Sequence, residues 1–338
     1  MVRFAVLGCG RIGRMHARNI KAHARADVTV VYDVATAAAQ ETAAAVGAKV
    51  ALSVEEALAD PAVDAVFVAS STDTHVDLIA LAAKAGKPVL CEKPIDLDMG
   101  RVEACWAEIG PLNPLVMIGF NRRFDPSFKA VRDRIQAGEI GRLEQVVITS
   151  RDPSPPPASY VKKSGGLFRD MTIHDFDMAR YLAGDIVEVQ AMGANLIDPA
   201  IGAEGDIDAA MLVLRAASGA LVHINNSRRS AYGYDQRIEA FGATGMLQAQ
   251  NRRATTVEAW GAARTGAMDP VLDFFIERYQ DAYLAEIDHF VDCVETGATP
   301  LSSFQEGREA QRLAEAAILS LRTGAVVRVA DVGVSPLN

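Results

Sequence analysis

Cysteine is scarce in this chain. Only Cys9, Cys91, Cys105 and Cys293 occur in 338 residues. None stand at CxxC spacing, which excludes a zinc ribbon or a dithiol redox motif and predicts free thiols in a reducing cytoplasm. Long apolar runs are missing too: none approaches the roughly 18 residues of a membrane-spanning helix. The opening MVRFAVLGCGRIGR has too short an apolar stretch for a signal peptide and no A-x-A site. Positive charge is in deficit. Lys and Arg number 34 against 43 Asp and Glu, a net charge of −9, and a field of that sign repels polyphosphate backbones, excluding nucleic acid as a general partner. The basic pairs Arg122/Arg123, Lys162/Lys163, Arg228/Arg229 and Arg252/Arg253 are scattered, and most of them read as solvated or subunit-facing surface. The expectation is a soluble cytoplasmic protein.

What is present is ordinary globular composition, 50% hydrophobic and 23% charged, which argues against disorder. The length exceeds what one core usually supports and predicts two domains. Up to residue 120, short apolar runs at 4–7, 28–32, 63–69, 88–91 and 115–118 alternate with helical stretches such as 35–46 and 75–85. Nearly continuous apolar runs of this length are strands buried on both faces, and strand–helix alternation implies right-handed βαβ units and a parallel sheet. Ser53 followed by Glu56 fits a capping box. After residue 121 the pattern changes. A helix at 126–137, a strand at 142–150, a Pro-rich loop at 152–158 and a helix at 170–182 come first. Alternating strands follow at 186–196, 209–215, 220–226, 236–241, 246–250 and 255–260, then helices at 275–295 and 304–321 and a strand at 326–329. Alternation with short turns predicts a large, mostly antiparallel sheet with one open face. The expected fold is therefore α/β: a Rossmann doubly wound domain over 1–120, then an α+β substrate and oligomerisation domain over 121–338.

Three constellations carry chemistry. Gly8-Cys9-Gly10-Arg11-Ile12-Gly13 is a G-x-G-x-x-G between the first strand and the first helix. Its glycines permit a tight turn, close approach of a pyrophosphate to the helix N-terminus, and close helix–strand packing. Asp33 ends the second strand, where a carboxylate accepts hydrogen bonds from an adenosine ribose. Val34 follows it rather than a cation, which predicts NAD over NADP. Next, Ser70, Thr72 and His75 follow one strand, and Glu92-Lys93-Pro94 follows the next. Both segments project beyond carboxyl strand ends, where such sheets bind ligands. Finally, Asp170, His174 and Asp177 stand at i, i+4 and i+7 of a helix. They read as a solvated face, as a metal site lacking ligands, or as an acid/base pair in which an aspartate orients a histidine that titrates near neutrality.

Together, the G-x-G-x-x-G, the Glu-Lys-Pro and the Asp-x-x-x-His resemble the glucose-fructose oxidoreductase/inositol dehydrogenase/rhizopine catabolism (Gfo/Idh/MocA) family over essentially the whole chain. The likeness is closer to its inositol 2-dehydrogenase branch through GFNRRFDPSF (119–128), SRDPSPPP (150–157), GGLFRDMTIHDFDMAR (165–180) and YGYD (232–235). The resemblance implies oxidation of a secondary alcohol of a cyclic polyol by NAD, foremost myo-inositol at C2 to the ketone. Lys93 would contact the reacting hydroxyl, and His174 would accept the proton, oriented by Asp170. Arg122, Asp152, Asp177, Tyr232 and Tyr234 would lie in or near the polyol pocket. The cofactor would contact Gly8, Gly10, Arg11, Ile12, Gly13, Asp33, Val34, Ser70, Thr72, His75, Glu92 and Lys93, and no metal is implied. The family also implies a homotetramer packed through the open sheet face. The alternatives are dehydrogenases of another sugar, sugar acid or dihydrodiol, and dinucleotide-binding regulators without turnover, which would not need Lys93, Asp170 and His174.

Overall fold

A computed structural model describes residues 1–332; residues 333–338, the end of the expected second domain, lie outside the described residues. In chain order, β1 (Val2–Leu7), α1 (Arg11–Ala22), β2 (Ala26–Tyr32), α2 (Thr36–Val46), β3 (Lys49–Val50), α3 (Val54–Ala59), β4 (Ala65–Val68), α4 (His75–Lys84), β5 (Val89–Cys91), α5 (Met99–Ile109) and β6 (Val116–Ile118) form the first sheet and its helices. All its strands run parallel in the order β3-β2-β1-β4-β5-β6. Every residue of β4 and β5 is buried, the reason these strands read as unbroken apolar runs. The faces of α1 follow from spacing: Gly13, His16, Ala17 and Ile20 recur at helical period and are all buried. Ser53 caps α3, its Oγ accepting the Glu56 amide at 3.1 Å, while the Glu56 carboxylate accepts the Leu52 amide at 2.7 Å. The two-residue β3 is too short to show a period.

The second set of elements is α6 (Pro126–Gln136), β7 (Leu143–Arg151), α7 (Ala158–Ser164), α8 (Ile173–Ala183), β8 (Ile186–Ala194), α9 (Pro199–Ala203), β9 (Ala209–Ala216), β10 (Leu221–Ser227), β11 (Asp235–Gly242), β12 (Gly245–Ala249), β13 (Glu258–Gly261), β14 (Arg264–Met268), α10 (Phe275–Arg278), α11 (Gln280–Thr296), α12 (Phe304–Thr323) and β15 (Val327–Arg328). Seven strands make a mixed sheet in the order β12-β11-β7-β10-β9-β8-β15. The sheet is mostly antiparallel, as expected; β7 and β10 pair in parallel, a choice that local alternation does not encode. The strand expected at 255–260 pairs outside this sheet, in the separate β13–β14 hairpin. The expected helix at 275–295 is broken at Tyr279 into α10 and α11.

The chain divides into two compact units. The first holds Met1–Phe124 and Asp281–Gln311, the second Asp125–Gln280 and Arg312–Val332. This differs from a single cut at 120/121, because α11 and the first turns of α12 cluster with the nucleotide-type sheet. Within that unit Phe290 of α11 packs on Phe4 of β1, ring centroids 5.8 Å apart, and Trp106 of α5 stacks on Phe304 of α12 at 5.0 Å. Such contacts join segments more than 150 residues apart, beyond the reach of local pattern.

The same unit buries a carboxyl. Glu286 on α11 is 1% exposed, and its Oε1 has no hydrogen-bond partner among the described residues. Burial pushes its pKa well above the ordinary carboxylate range, and the charge of Glu92 adds to that. A folded pKa above the unfolded one means the folded state binds the extra proton, so stability falls as pH rises above the unfolded pKa of about 4.3. Glu286→Gln removes that dependence. The variant's melting temperature is expected to exceed wild type at pH 8 by a few degrees, on the order of 1 kcal/mol, with the gain shrinking toward pH 5. An equal shift at both pH values, measured by calorimetry, would contradict it.

Candidate active site

In the first unit, three glycines shape the end of β1. Gly8 has φ +101°, and a Cβ there would lie 2.5 Å from the Ala69 carbonyl carbon. A Cβ on Gly13 would lie 1.9 Å from the Gly8 carbonyl oxygen, so any other residue forces α1 off the strand. A Cβ on Gly10 would meet no other described atom within 4 Å. Gly10 also caps α1, whose first turn has no side-chain cap and no acidic residue. Open space before uncapped helix amides fits the pyrophosphate of a dinucleotide. Arg11 is exposed and Ile12 half-buried in that first turn.

Asp33 is held beside this cradle. Its Oδ2 accepts the Cys9 amide at 2.6 Å and its Oδ1 accepts the Ala35 amide at 2.7 Å. Val34 is 90% exposed. Beyond β4, Ser70 and Thr74 share a hydroxyl hydrogen bond of 2.6 Å, and Thr72 opens a 3₁₀ turn. His75 departs from its expected role. It is 1% exposed, with Nδ1 2.8 Å from the Pro94 carbonyl oxygen and Nε2 3.2 Å from that of Ser70. Burial lowers its pKa, and a neutral ring donates to only one of these carbonyls. It therefore braces the two loops that follow β4 and β5. Glu92 meets buried His16 at 3.4 Å, and Lys93 is partly exposed at the same strand end.

In the second unit, Asp170 lies in a π-helical turn, Phe168–Thr172, that leads into α8, which carries His174 in its first turn. Such turns are uncommon and gather at functional positions. Asp170 and His174 are partly exposed, whereas Asp177 is fully buried. The expected three-residue polar face thus reduces to two accessible groups. The π turn is pinned twice: Arg169 makes a bidentate pair with Glu315 of α12 at 2.6 and 2.7 Å, and Thr172 donates to Asn226 of β10 at 2.7 Å.

Arg228 does not lie at the surface, where most of the basic pairs are expected. It is 5% exposed, and its guanidinium donates to Asp152 at 3.1 Å and to Asp170 at 2.8 Å. Tyr160 of α7 donates to the other oxygen of Asp170 at 3.4 Å. Arg122 and Arg123 are also buried, not surface. Arg123 serves the Leu301 carbonyl and Glu306. The tyrosine pair diverges: the Tyr232 hydroxyl donates to Asp235 at 2.6 Å and accepts from Arg151 at 2.7 Å, while the Tyr234 ring packs edge-on against Tyr279 at 6.0 Å. Among the described residues, no group of three or more His, Cys, Asp or Glu is placed to hold a metal ion, and no helix is long and apolar enough to cross a membrane.

The chain matches two family models: "Oxidoreductase family, NAD-binding Rossmann fold" over residues 2–120 and "GFO/IDH/MocA C-terminal domain" over residues 128–248. It is 50% identical to the inositol 2-dehydrogenase of Rhizobium meliloti (strain 1021), over 95% of this chain and 97% of that one. Its fold superposes on the crystal structure of a myo-inositol dehydrogenase from Corynebacterium glutamicum with TM-score 0.94 and 48% identity, covering 97% and 98% of the two chains. It also matches the scyllo-inositol dehydrogenase from Lactobacillus casei with bound NAD(H) and scyllo-inositol, TM-score 0.90 and 29% identity, covering 98% and 100%.

The glycines separate binding from folding. Gly10→Ala is expected to keep the wild-type melting temperature, since its Cβ meets no protein atom, yet to weaken NAD binding roughly tenfold or more by filling the cradle. Gly13→Ala is expected to lower stability by roughly 1–3 kcal/mol. Titration with NAD and thermal melts of both variants check this, and unchanged NAD affinity in Gly10→Ala would refute the cradle.

Proposed function

The chain belongs to the GFO/IDH/MocA oxidoreductase family, and from that premise we propose that it oxidises a secondary hydroxyl of a cyclic polyol, myo-inositol at C2 before others. The observation that carries this reading is the concentration of hydroxyl acceptors around Arg228 in the second unit, Asp152 and Asp170, in a chain whose first unit has an open, uncapped dinucleotide cradle. A cyclic polyol offers only hydroxyls to recognise, and ionised carboxylates accept their protons.

A bound NAD would supply the acceptor for the hydride that leaves the carbon. Gly8, Gly10, Gly13, Arg11 and Ile12 would surround its pyrophosphate, and Asp33 its adenosine ribose. Ser70, Thr72, Glu92 and Lys93 would flank it beyond the strand ends. A 2′-phosphate would meet the Asp33 carboxylate with only Val34 beside it, so NAD is favoured over NADP. The protein's own work is the proton. His174 takes it from the hydroxyl oxygen, with Asp170 orienting the ring, and Lys93 donates a hydrogen bond to the developing alkoxide. Asp152 accepts from a further hydroxyl. Asp177, Tyr232 and Tyr234 leave this set because of burial or existing partners, and Arg122 reaches a ligand only if its buried side chain is uncovered. A site of buried acceptors rejects a deoxy analogue strongly, since one acceptor is left unpaired.

The reading includes a reducing cytoplasmic address, supported by four buried free cysteines, and a homotetramer. The outward face of the seven-stranded sheet exposes Met192, Met211, Val213, Phe241 and Met246, with Met192 and Met211 directly opposed. Apolar side chains gathered on one sheet face mark an interface.

Purified protein with NAD and a panel of inositols and sugars is expected to reduce the nicotinamide fastest with an inositol, and roughly a hundredfold better with NAD than NADP. No turnover on any panel member would overturn the reading, and faster turnover of a sugar or sugar acid would reassign the substrate. Lys93→Ala and His174→Ala are each expected to lower kcat by roughly a thousandfold while NAD affinity stays near wild type; near-wild-type kcat would remove that residue from its role. Met211→Asp is expected to lower the mass in light scattering below four chains, and an unchanged mass would exclude this face.

A further inference from the structure

The most unusual group outside the expected machinery is the buried guanidinium of Arg228. Its position follows from the parallel pairing of β7 and β10. In that register Ser227 lies beside Arg151, so the next residues, Arg228 and Asp152, leave the sheet together. Asp152 donates its amide to the Ser227 carbonyl at 2.9 Å, and Arg228 donates its amide to the Asp208 carbonyl at 2.8 Å. Both backbones are thus tied before either side chain acts. From there one terminal nitrogen of Arg228 reaches Asp152 and the other reaches Asp170.

We propose that Arg228 is a positioning residue of the substrate site, a two-armed clamp that sets Asp152 and Asp170 in fixed, ionised orientations toward the polyol and His174. The proposal rests on the dehydrogenase reading above. Two carboxylates approaching one another in a buried setting repel, and one of them protonates or swings away unless a cation stands between them. Burial works against the charge of Arg228, but Asp170 and Asp152 more than offset this and hold it protonated. A planar guanidinium serves two carboxylates at once with set geometry, which a lysine point charge does not. The surrounding groups complete the arrangement. Tyr160 donates to the remaining oxygen of Asp170. Asp206, a third carboxylate close by, accepts the Leu167 amide at 3.0 and 3.2 Å. With Asp152 and Asp170 ionised, the clamp keeps one net negative charge, suited to accepting hydroxyl protons.

The test compares wild type, Arg228→Lys and Arg228→Met in steady-state kinetics with the best inositol of the panel, alongside NAD titration and thermal melts. Arg228→Met is expected to lose roughly a hundredfold or more in kcat/KM, in both kcat and polyol KM, because Asp170 acts in the chemical step and Asp152 in binding. Arg228→Lys, which retains one arm, is expected to recover roughly tenfold of that loss. NAD affinity is expected to stay within about twofold of wild type in both. If Arg228→Met does not fold, the Lys variant carries the test through a raised KM at wild-type NAD affinity. Kinetic constants within about threefold of wild type in Arg228→Met, or in Arg228→Lys where that variant carries the test, overturn the proposal alone. Equal losses in Lys and Met with equal falls in melting temperature do the same, reducing Arg228 to a structural role. A wild type that turns over no polyol overturns the dehydrogenase reading and this proposal with it.

Discussion

The buried amide of Asn226 is the contact on which the seating of the π turn and α8 depends. It lies on β10, 2% exposed, and accepts from Thr172 of the π turn at 2.7 Å while donating to the buried Asp175 of α8 at 2.7 Å. One side chain thus fixes both ends of the junction where the π turn becomes α8. Asp170 and His174 sit on either side of that junction. A buried amide left with an unpaired hydrogen-bonding group costs about 1–3 kcal/mol, so the helix has one favourable seat on the sheet, and the two accessible side chains inherit its precision.

The same demand, that buried charge be matched, recurs across this unit. Fully buried Asp235 would be costly alone. Burial raises its pKa, yet the hydrogen bonds of Arg237, Tyr232 and Asn251 outweigh burial and hold it below the usual carboxylate range. Arg278 is paired with Asp125, which also caps α6 through the Ser127 and Phe128 amides. These networks explain why so many polar residues of the 150–236 region are buried in a sheet-and-helix layer that alternation alone would fill with apolar side chains. Among them, the Arg228 cluster is the one with partly exposed carboxylates, which is what a hydroxyl-binding site needs and a purely structural pair does not.

Burial also changes the meaning of individual residues. His75 looks like a ligand contact when only its place after a strand is known, yet its ring nitrogens face two backbone carbonyls. Tyr232 stands in an aromatic motif that suggests a shared pocket with Tyr234, but the turn before β11 sends its hydroxyl to Asp235. One arginine pair divides in the same way: Arg228 is buried and Arg229 exposed. Adjacent residues near strand ends face opposite ways, and dipeptide composition carries no sign of which one turns inward.

The sequence by itself determined five strands of the parallel sheet, all but the two-residue β3, together with the glycine turn and its following carboxylate and the change to longer alternating strands after residue 120. Each is a local matter: buried parallel strands read as apolar runs, a Cβ at Gly8 or Gly13 has no room, and strand period is visible within a few residues. Only the tertiary structure decided that β7 runs parallel to β10, that α11 clusters with the first sheet, and that Arg228 joins Asp152 to Asp170. Those facts depend on contacts between segments far apart in the chain, 58 residues for Arg228 and Asp170 and more for the others, where chain topology sets the neighbours and the cost of burying an unpaired charge selects among them.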